Sequence, residues 1–151
     1  MRLVIVTGMS GAGKSTALKM LEDARYFCVD NLPIALVGKF VSLMATSQDE
    51  EVQNAAIGID ARSGRALEEL EVVLDRLKAE GHTFEILFLD ADDKVLVKRY
   101  KESRRSHPLA MTGRVDDGIR LERKKTEFLR NRADYIIAVS YTHLTLPTIL
   151  L

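Results

Sequence analysis

A chain of 151 residues, 46% hydrophobic and 29% charged, has the size and composition of one compact domain with a buried core. Its 22 basic residues balance 22 acidic ones, so bulk charge gives no reason to expect an obligatory nucleic-acid or membrane partner. Cys28 is the single cysteine, which excludes an intrachain disulfide or a cysteine-based zinc cluster and fits a reducing, cytoplasmic setting.

The chain opens on Arg2 to Thr7, a continuous β-branched apolar run of the kind found in a parallel strand buried on both faces. The run is far too short for a signal peptide or a membrane span and leads straight into a glycine loop. Behind the loop, Ala17, Leu18, Leu21 and Ala24 share one helical face over 14–24, the crossover helix of a βαβ unit. Tyr26 to Val29 predicts a second strand. Pro33 then stands at a first helical position, with Leu36, Val37, Phe40 and Met44 as the inward stripe.

Thr46 to Gln53 is polar and predicts a loop, and Ala55 to Ile59 a third buried strand ending at Asp60. The clearest helix spans 66–80, with Leu67, Leu70, Leu74 and Leu77 inward and Gly81 as its stop. Phe84 to Leu89 is the fourth strand. Asp92 caps a helix through Val95, Leu96 and Arg99, Ser103 to Gly113 loses periodicity, 115–130 is helical again, and Asp134 to Ala138 begins a fifth strand. His82, after a helix stop, is expected to be exposed, and Cys28 to be a buried small hydrophobe. Strands alternating with helices predict an α/β fold, a parallel five-stranded sheet flanked by helices on both faces.

Between the first strand and first helix, Gly8-Met9-Ser10-Gly11-Ala12-Gly13-Lys14-Ser15 matches G-x-x-x-x-G-K-[ST] in the required context. Glycines there let successive N–H groups turn inward, and the helix start adds its positive dipole end, so the loop can cradle phosphate oxygens. Lys14 would reach the β and γ phosphates and Ser15 would place its hydroxyl on Mg2+. The expected ligands are purine nucleotides, ATP or GTP, with Mg2+.

Ligands of open parallel sheets bind beyond the carboxyl ends of the strands, where Asp30, Asp60 and Asp90 stand. A kinase-like strand order would put the third strand beside the first and favour Asp60 for the metal and for catalysis beside Lys14, with Asp30 second and Asp90 weakest. Asp60, Ala61, Arg62 and Ser63 form a polar cluster there, in which Arg62 either forks onto a phosphate or makes a surface salt bridge. Residues 94–132 hold 13 basic against 5 acidic side chains. Arg99, Arg104, Arg105 and Arg114 are candidates for a lid over a triphosphate, and Arg120, Arg123 and Lys124 continue the positive charge. The same segment could meet an RNA backbone or be a solvated helix face.

Five motifs in order, GMSGAGKS at 8–15, YFCVDNLP at 26–33, DARS at 60–63, FLDA at 88–91 and RYKESRRSHPL at 99–109, resemble the N-terminal half of the RapZ/YvcJ family of bacterial nucleotide-binding proteins, which includes an RNase adapter. The resemblance runs from Met1 to about Ile137. It implies a kinase-like P-loop NTPase fold, ATP binding at 8–15, a GTP-associated motif at 60–63, and slow ATP and GTP hydrolysis. In full-length relatives it also implies regulation of small-RNA processing, RNA or an RNase as partner, and homo-oligomers. The family's second, C-terminal domain has no counterpart in this chain. VSYTHLTLPT, at 139–148, back-translates to a transposon-end sequencing adapter, so 1–138 is read as the nucleotide-binding domain and 139–151 as an artefactual tail. Two other functions remain open on the residues alone, a small-molecule or nucleotide kinase with an arginine-rich lid, and direct RNA binding through 94–132.

Overall fold

The computed structural model of the chain describes residues 2–9, 11–46, 54–60, 64–103 and 115–139. The apolar runs become five strands, β1 (Arg2–Gly8), β2 (Phe27–Val29), β3 (Asn54–Gly58), β4 (Glu85–Ala91) and β5 (Tyr135–Val139). The stretches of helical periodicity become α1 (Lys14–Asp23), α2 (Ile34–Thr46), α3 (Gly64–Ala79), α4 (Asp93–Ser103) and α5 (Val115–Arg132). The strands pair in parallel in the order β2-β3-β1-β4-β5. β1 is therefore central, and Leu3 to Val6 and Ile86 to Leu89 are buried as two-sided strands should be.

Right-handed crossovers put α1, which runs toward the β2 edge, on one face and the later helices on the other. The contacts agree. α1 packs on β1, β2 and β3, while α5 packs on β1 and β4 and touches α3 and α4, and α3 in turn packs on α2. The chain is thus a five-stranded parallel sheet with flanking helices, and β3 lies beside β1 with register Val6 opposite Gly58.

Most predicted faces hold. Leu67, Leu70, Leu74 and Leu77 of α3 are buried, and Gly81, at φ 85°, ends the helix with its N–H on the Lys78 carbonyl and the His82 N–H on that of Leu77. The stripe of α2 is different. Ile34, Val37 and Val41 are buried, Phe40 and Met44 are partly buried, and Leu36 is 47% exposed. Ile34, Val37 and Val41 share one helical line, and Leu36 lies about 100° from Val37, on the outer side with Leu43.

β4 runs two residues past the predicted end, so Asp90 lies within the strand. His82 is half-buried, with Nε2 3.9 Å from Glu80. Cys28 is also half-buried rather than fully enclosed, because edge strand β2 is covered less completely than β1. Its thiol lies 3.4 Å from the Leu18 carbonyl, and burial followed by the Glu22 charge pushes its pKa up to about 11. The predicted loop at 103–113 and the polar stretch after Thr46 fall almost wholly outside the described residues. Of the tail read at 139–151, Val139 is the last residue of β5, opposite Ala91, and the remainder lies outside the described residues.

At the amino edge of the sheet, Arg2 grips Glu85 through two hydrogen bonds of 2.7 and 3.2 Å, and the Tyr135 hydroxyl donates to the same carboxylate at 2.7 Å. One ion pair thus ties β1, β4 and β5 together. The Arg2 hydrogen bond holds the Glu85 pKa below the ordinary carboxylate value, against the opposing effect of burial. A depressed carboxylate pKa contributes stability that is complete above the unfolded-state value and is lost as pH falls through the folded one. Denaturation midpoints should therefore fall below about pH 5 in the parent chain, and Glu85→Gln should flatten that acid limb. An unchanged limb in the variant would show that the ion pair contributes nothing.

Gly38, in the middle of α2, has no neighbour within 4 Å of where a Cβ would sit. Gly38→Ala should raise stability by about 0.5–1 kcal/mol, through a less flexible unfolded chain and better helix propensity. Urea denaturation checks it, and a destabilisation would indicate a hidden contact.

Candidate functional site

The carboxyl ends of β1, β3 and β4 form one edge of the sheet, and the loop after β1 lies along it. Gly8 closes β1 at φ 142°, and a Cβ there would collide with the Leu89 carbonyl and stand 2.7 Å from the Leu89 nitrogen. The loop backbone hence lies directly against β4, with the Met9 N–H donating to the Leu89 carbonyl at 2.9 Å. Gly11, at φ 84°, and Gly13, at φ 96°, are both left-handed. Gly13 is the N-cap of α1, no side chain caps it, and the first turn of α1 carries no acid.

An uncapped helix start exposes N–H groups and a positive dipole end, and Lys14 adds its ammonium to that end. Such concentrated positive potential is costly without an anion and suited to one. The anion within the fold is Asp60, whose Oδ1 lies 3.7 Å from Lys14 Nζ, both side chains being about four-fifths buried. The fold thus brings together residues 46 positions apart in sequence. Ser15 is exposed in the first turn of α1. Ser10, Ala61, Arg62 and Ser63 lie outside the described residues, as do Arg104, Arg105 and Arg114 of the candidate lid, and of Arg99 only the backbone, in α4, is described.

Asp30 follows β2, two strands from β1. It is exposed, accepts the Asn31 N–H at 2.8 Å, and has its Oδ1 2.7 Å from where a Gly58 Cβ would stand. Gly58 is therefore what lets the carboxylate approach β3 so closely.

Asp90 has a different environment. It is 6% exposed and accepts from the Ala91 N–H at 2.7 Å, from Arg123 Nη1 at 2.6 Å and from Arg130. Arg123 also donates to Asp93 at 2.8 Å and to the Ala91 carbonyl at 2.5 Å. Burial alone would lower the Arg123 pKa, but its hydrogen bonds to Asp90 and then Asp93 leave it raised. Within the segment read as lid, RNA surface or solvated face, Arg123 and Arg130 are therefore part of the fold. They hold α5 to the end of β4. Sequence reasoning missed this cluster. The available signal was the i, i+7 spacing of two arginines beside buried positions of α5.

Comparison with known proteins adds three findings. The model of the RapZ-like N-terminal domain family matches residues 1–146. A nucleotide-binding protein of Lachnoclostridium phytofermentans is 62% identical over 140 residues, covering 93% of this chain and 49% of the relative, and one of Agathobacter rectalis is 54% identical over 140 residues, covering 93% and 48%. The chain thus spans about half the length of these curated relatives. Among solved structures, shikimate kinases of Acinetobacter baumannii and Bacteroides thetaiotaomicron superpose with TM-scores of 0.54 and 0.55 at 16% and 20% identity, covering 93% and 91% of this chain and 84% and 86% of theirs. They establish the P-loop kinase fold alone.

Proposed function

Because the chain belongs to the family of RapZ-like N-terminal domains, P-loop nucleotide-binding domains, we propose that it binds ATP and GTP with Mg2+ and hydrolyses them slowly, as a regulatory nucleotide sensor. The observation that carries this reading is the uncapped, acid-free start of α1 behind two left-handed glycines, with Lys14 at its first position. Backbone N–H groups of 8–15 would hold the phosphate tail, and the Lys14 ammonium would neutralise the β and γ oxygens. Ser15 and Asp60 supply a hydroxyl and a carboxylate, an oxygen donor set that suits Mg2+ with water completing its shell. Asp60 lies 3.7 Å from Lys14, so the carboxylate is already at the edge where the phosphates and their metal would sit. Residues 61–63 would add contacts to the same ligand, and Arg99, Arg104, Arg105 and Arg114 would close over it.

Direct RNA binding through 94–132 loses weight, since Asp90 engages two of that segment's guanidinium groups. In longer relatives the bound nucleotide would set the posture of the arginine segment toward the second domain, toward an RNase or RNA, or toward another copy of the chain, in the cytoplasm.

Release of phosphate from labelled ATP and GTP, followed with and without a panel of hydroxyl acceptors, tests the reading. The expected turnover is well below the roughly 1–100 s−1 of kinases, with water as the acceptor. Rapid transfer to one acceptor would replace the sensor with a small-molecule kinase.

A further inference from the structure

A cavity of about 350 Å3 lies beside the phosphate loop, between β4 and the edge of α5. Its floor is apolar and rigid, made of Met9 and Phe88, which are 1% and 2% exposed. Its wall is one face of α5, with Thr126, Glu127 and Arg130 on the line that begins at Arg123 and Lys124 at the rim.

The charges in this wall are not equivalent. Asp90 has three donors, and Arg123 is shared among Asp90, Asp93 and the Ala91 carbonyl. Arg130 meets Asp90 through Nη1 alone, and its side chain is 47% exposed, leaving most of its five N–H donors for another group. Lys124 has no partner among the described residues. Arg130 and Lys124 thus face the cavity with donors to give; of the two carboxylates in its lining, Asp90 is already held by Arg123 and Arg130, and Glu127 is the other.

We propose that this cavity is a binding site for a small anionic metabolite. A compact oxyanion head, phosphate or carboxylate, sits between Arg130 and Lys124, and a short body rests on Met9 and Phe88. It is distinct from the phosphate cradle, with which it shares only Met9. That residue gives the site a route to the cradle. The Thr126 hydroxyl packs 3.8 Å from the Met9 sulfur and donates to the Glu122 carbonyl at 2.8 Å, and the Met9 N–H anchors the loop to β4. An occupant that shifts α5 would bear on the loop through this contact. The route to the loop rests on the nucleotide reading above, whereas the site itself does not.

The test is calorimetric titration of the chain, and of its Lys14→Ala, Lys124→Ala, Lys124→Glu and Arg130→Gln variants, with inorganic phosphate and, separately, succinate. At least one anion should saturate the parent chain by about 10 mM and bind Lys14→Ala equally well. Lys124→Ala should weaken it several-fold, and Lys124→Glu and Arg130→Gln about tenfold or more. Saturation by phosphate alone or succinate alone assigns the head group. Should Arg130→Gln not fold, the two Lys124 variants, altered only at an exposed position, still decide the matter. Binding lost in Lys14→Ala but indifferent to Lys124 and Arg130 would put the anion in the phosphate cradle and overturn the proposal. No saturation, or equal binding by every variant, would overturn it too. Titration of the parent chain with ATP, run alongside, separates the two ideas. Its failure would remove the nucleotide reading and leave the cavity result intact.

Discussion

Lys14→Ala is expected to weaken triphosphate binding by about 100-fold, roughly 3 kcal/mol, while far-UV circular dichroism and the denaturation midpoint change little. Lys14 supplies the one ammonium group at the start of α1, where no acid and no side-chain cap offset the helix dipole. Its partner, Asp60, is close enough for attraction but at 3.7 Å is not tightly hydrogen-bonded, so although the pair is largely buried its loss is expected to cost the fold less than the lost phosphate contacts cost binding. In the complex the lysine would meet several phosphate charges at once. Calorimetry with ATP and GTP in the presence of Mg2+ measures the effect. A loss below about threefold would mean that the phosphates lie elsewhere.

The second large effect falls on stability. Gly8→Ala should cost roughly 3–4 kcal/mol, since a methyl group there would occupy the space of the Leu89 backbone and force apart the central strands β1 and β4. The left-handed φ of 142° adds strain for any side chain. Urea denaturation without nucleotide isolates this from any change in binding. The contrast with Gly38→Ala makes the test sharper, because the same chemical change should stabilise at one glycine and severely destabilise at the other. A cost under about 1 kcal/mol at Gly8 would mean that β1 and β4 are less tightly joined than the structure has them.

What could be read from the sequence was whatever local pattern determines. The run from Arg2 to Thr7, the glycine loop and the helix behind it occupy contiguous residues, each with its own signal, and all three appear at the predicted places. The leucine period of α3 was likewise unambiguous, because four leucines at helical spacing admit only one inward face. Once β3 was placed beside β1, the meeting of Asp60 with Lys14 followed from the fold.

What could not be read depends on register between distant segments. Arg123 and Arg130 reach Asp90 across 33 and 40 residues, and thirteen basic residues spread over 94–132 give no sign of which two will turn inward. Arg2, Glu85 and Tyr135 meet through the register of three strands, in which Glu85 pairs with Val4 and Tyr135 with Leu87, so that each start is stepped two residues from the last and long side chains span the steps. Leu36 is apolar and so suggests an inward position, but the helix buries the line through Ile34, Val37 and Val41 and leaves Leu36 47% exposed. Apolar character shows that a face exists, and the phase of a short helix is settled by what it packs against.

The most direct test of the nucleotide site is a competition. A fluorescent GTP analogue bound to the chain with Mg2+ should be displaced by ATP, by GTP and by inorganic tripolyphosphate, whereas adenosine and guanosine should leave it in place at about millimolar concentration. Displacement by the nucleosides with indifference to tripolyphosphate would mean that the base is what the protein holds, and would contradict a loop built to capture phosphates.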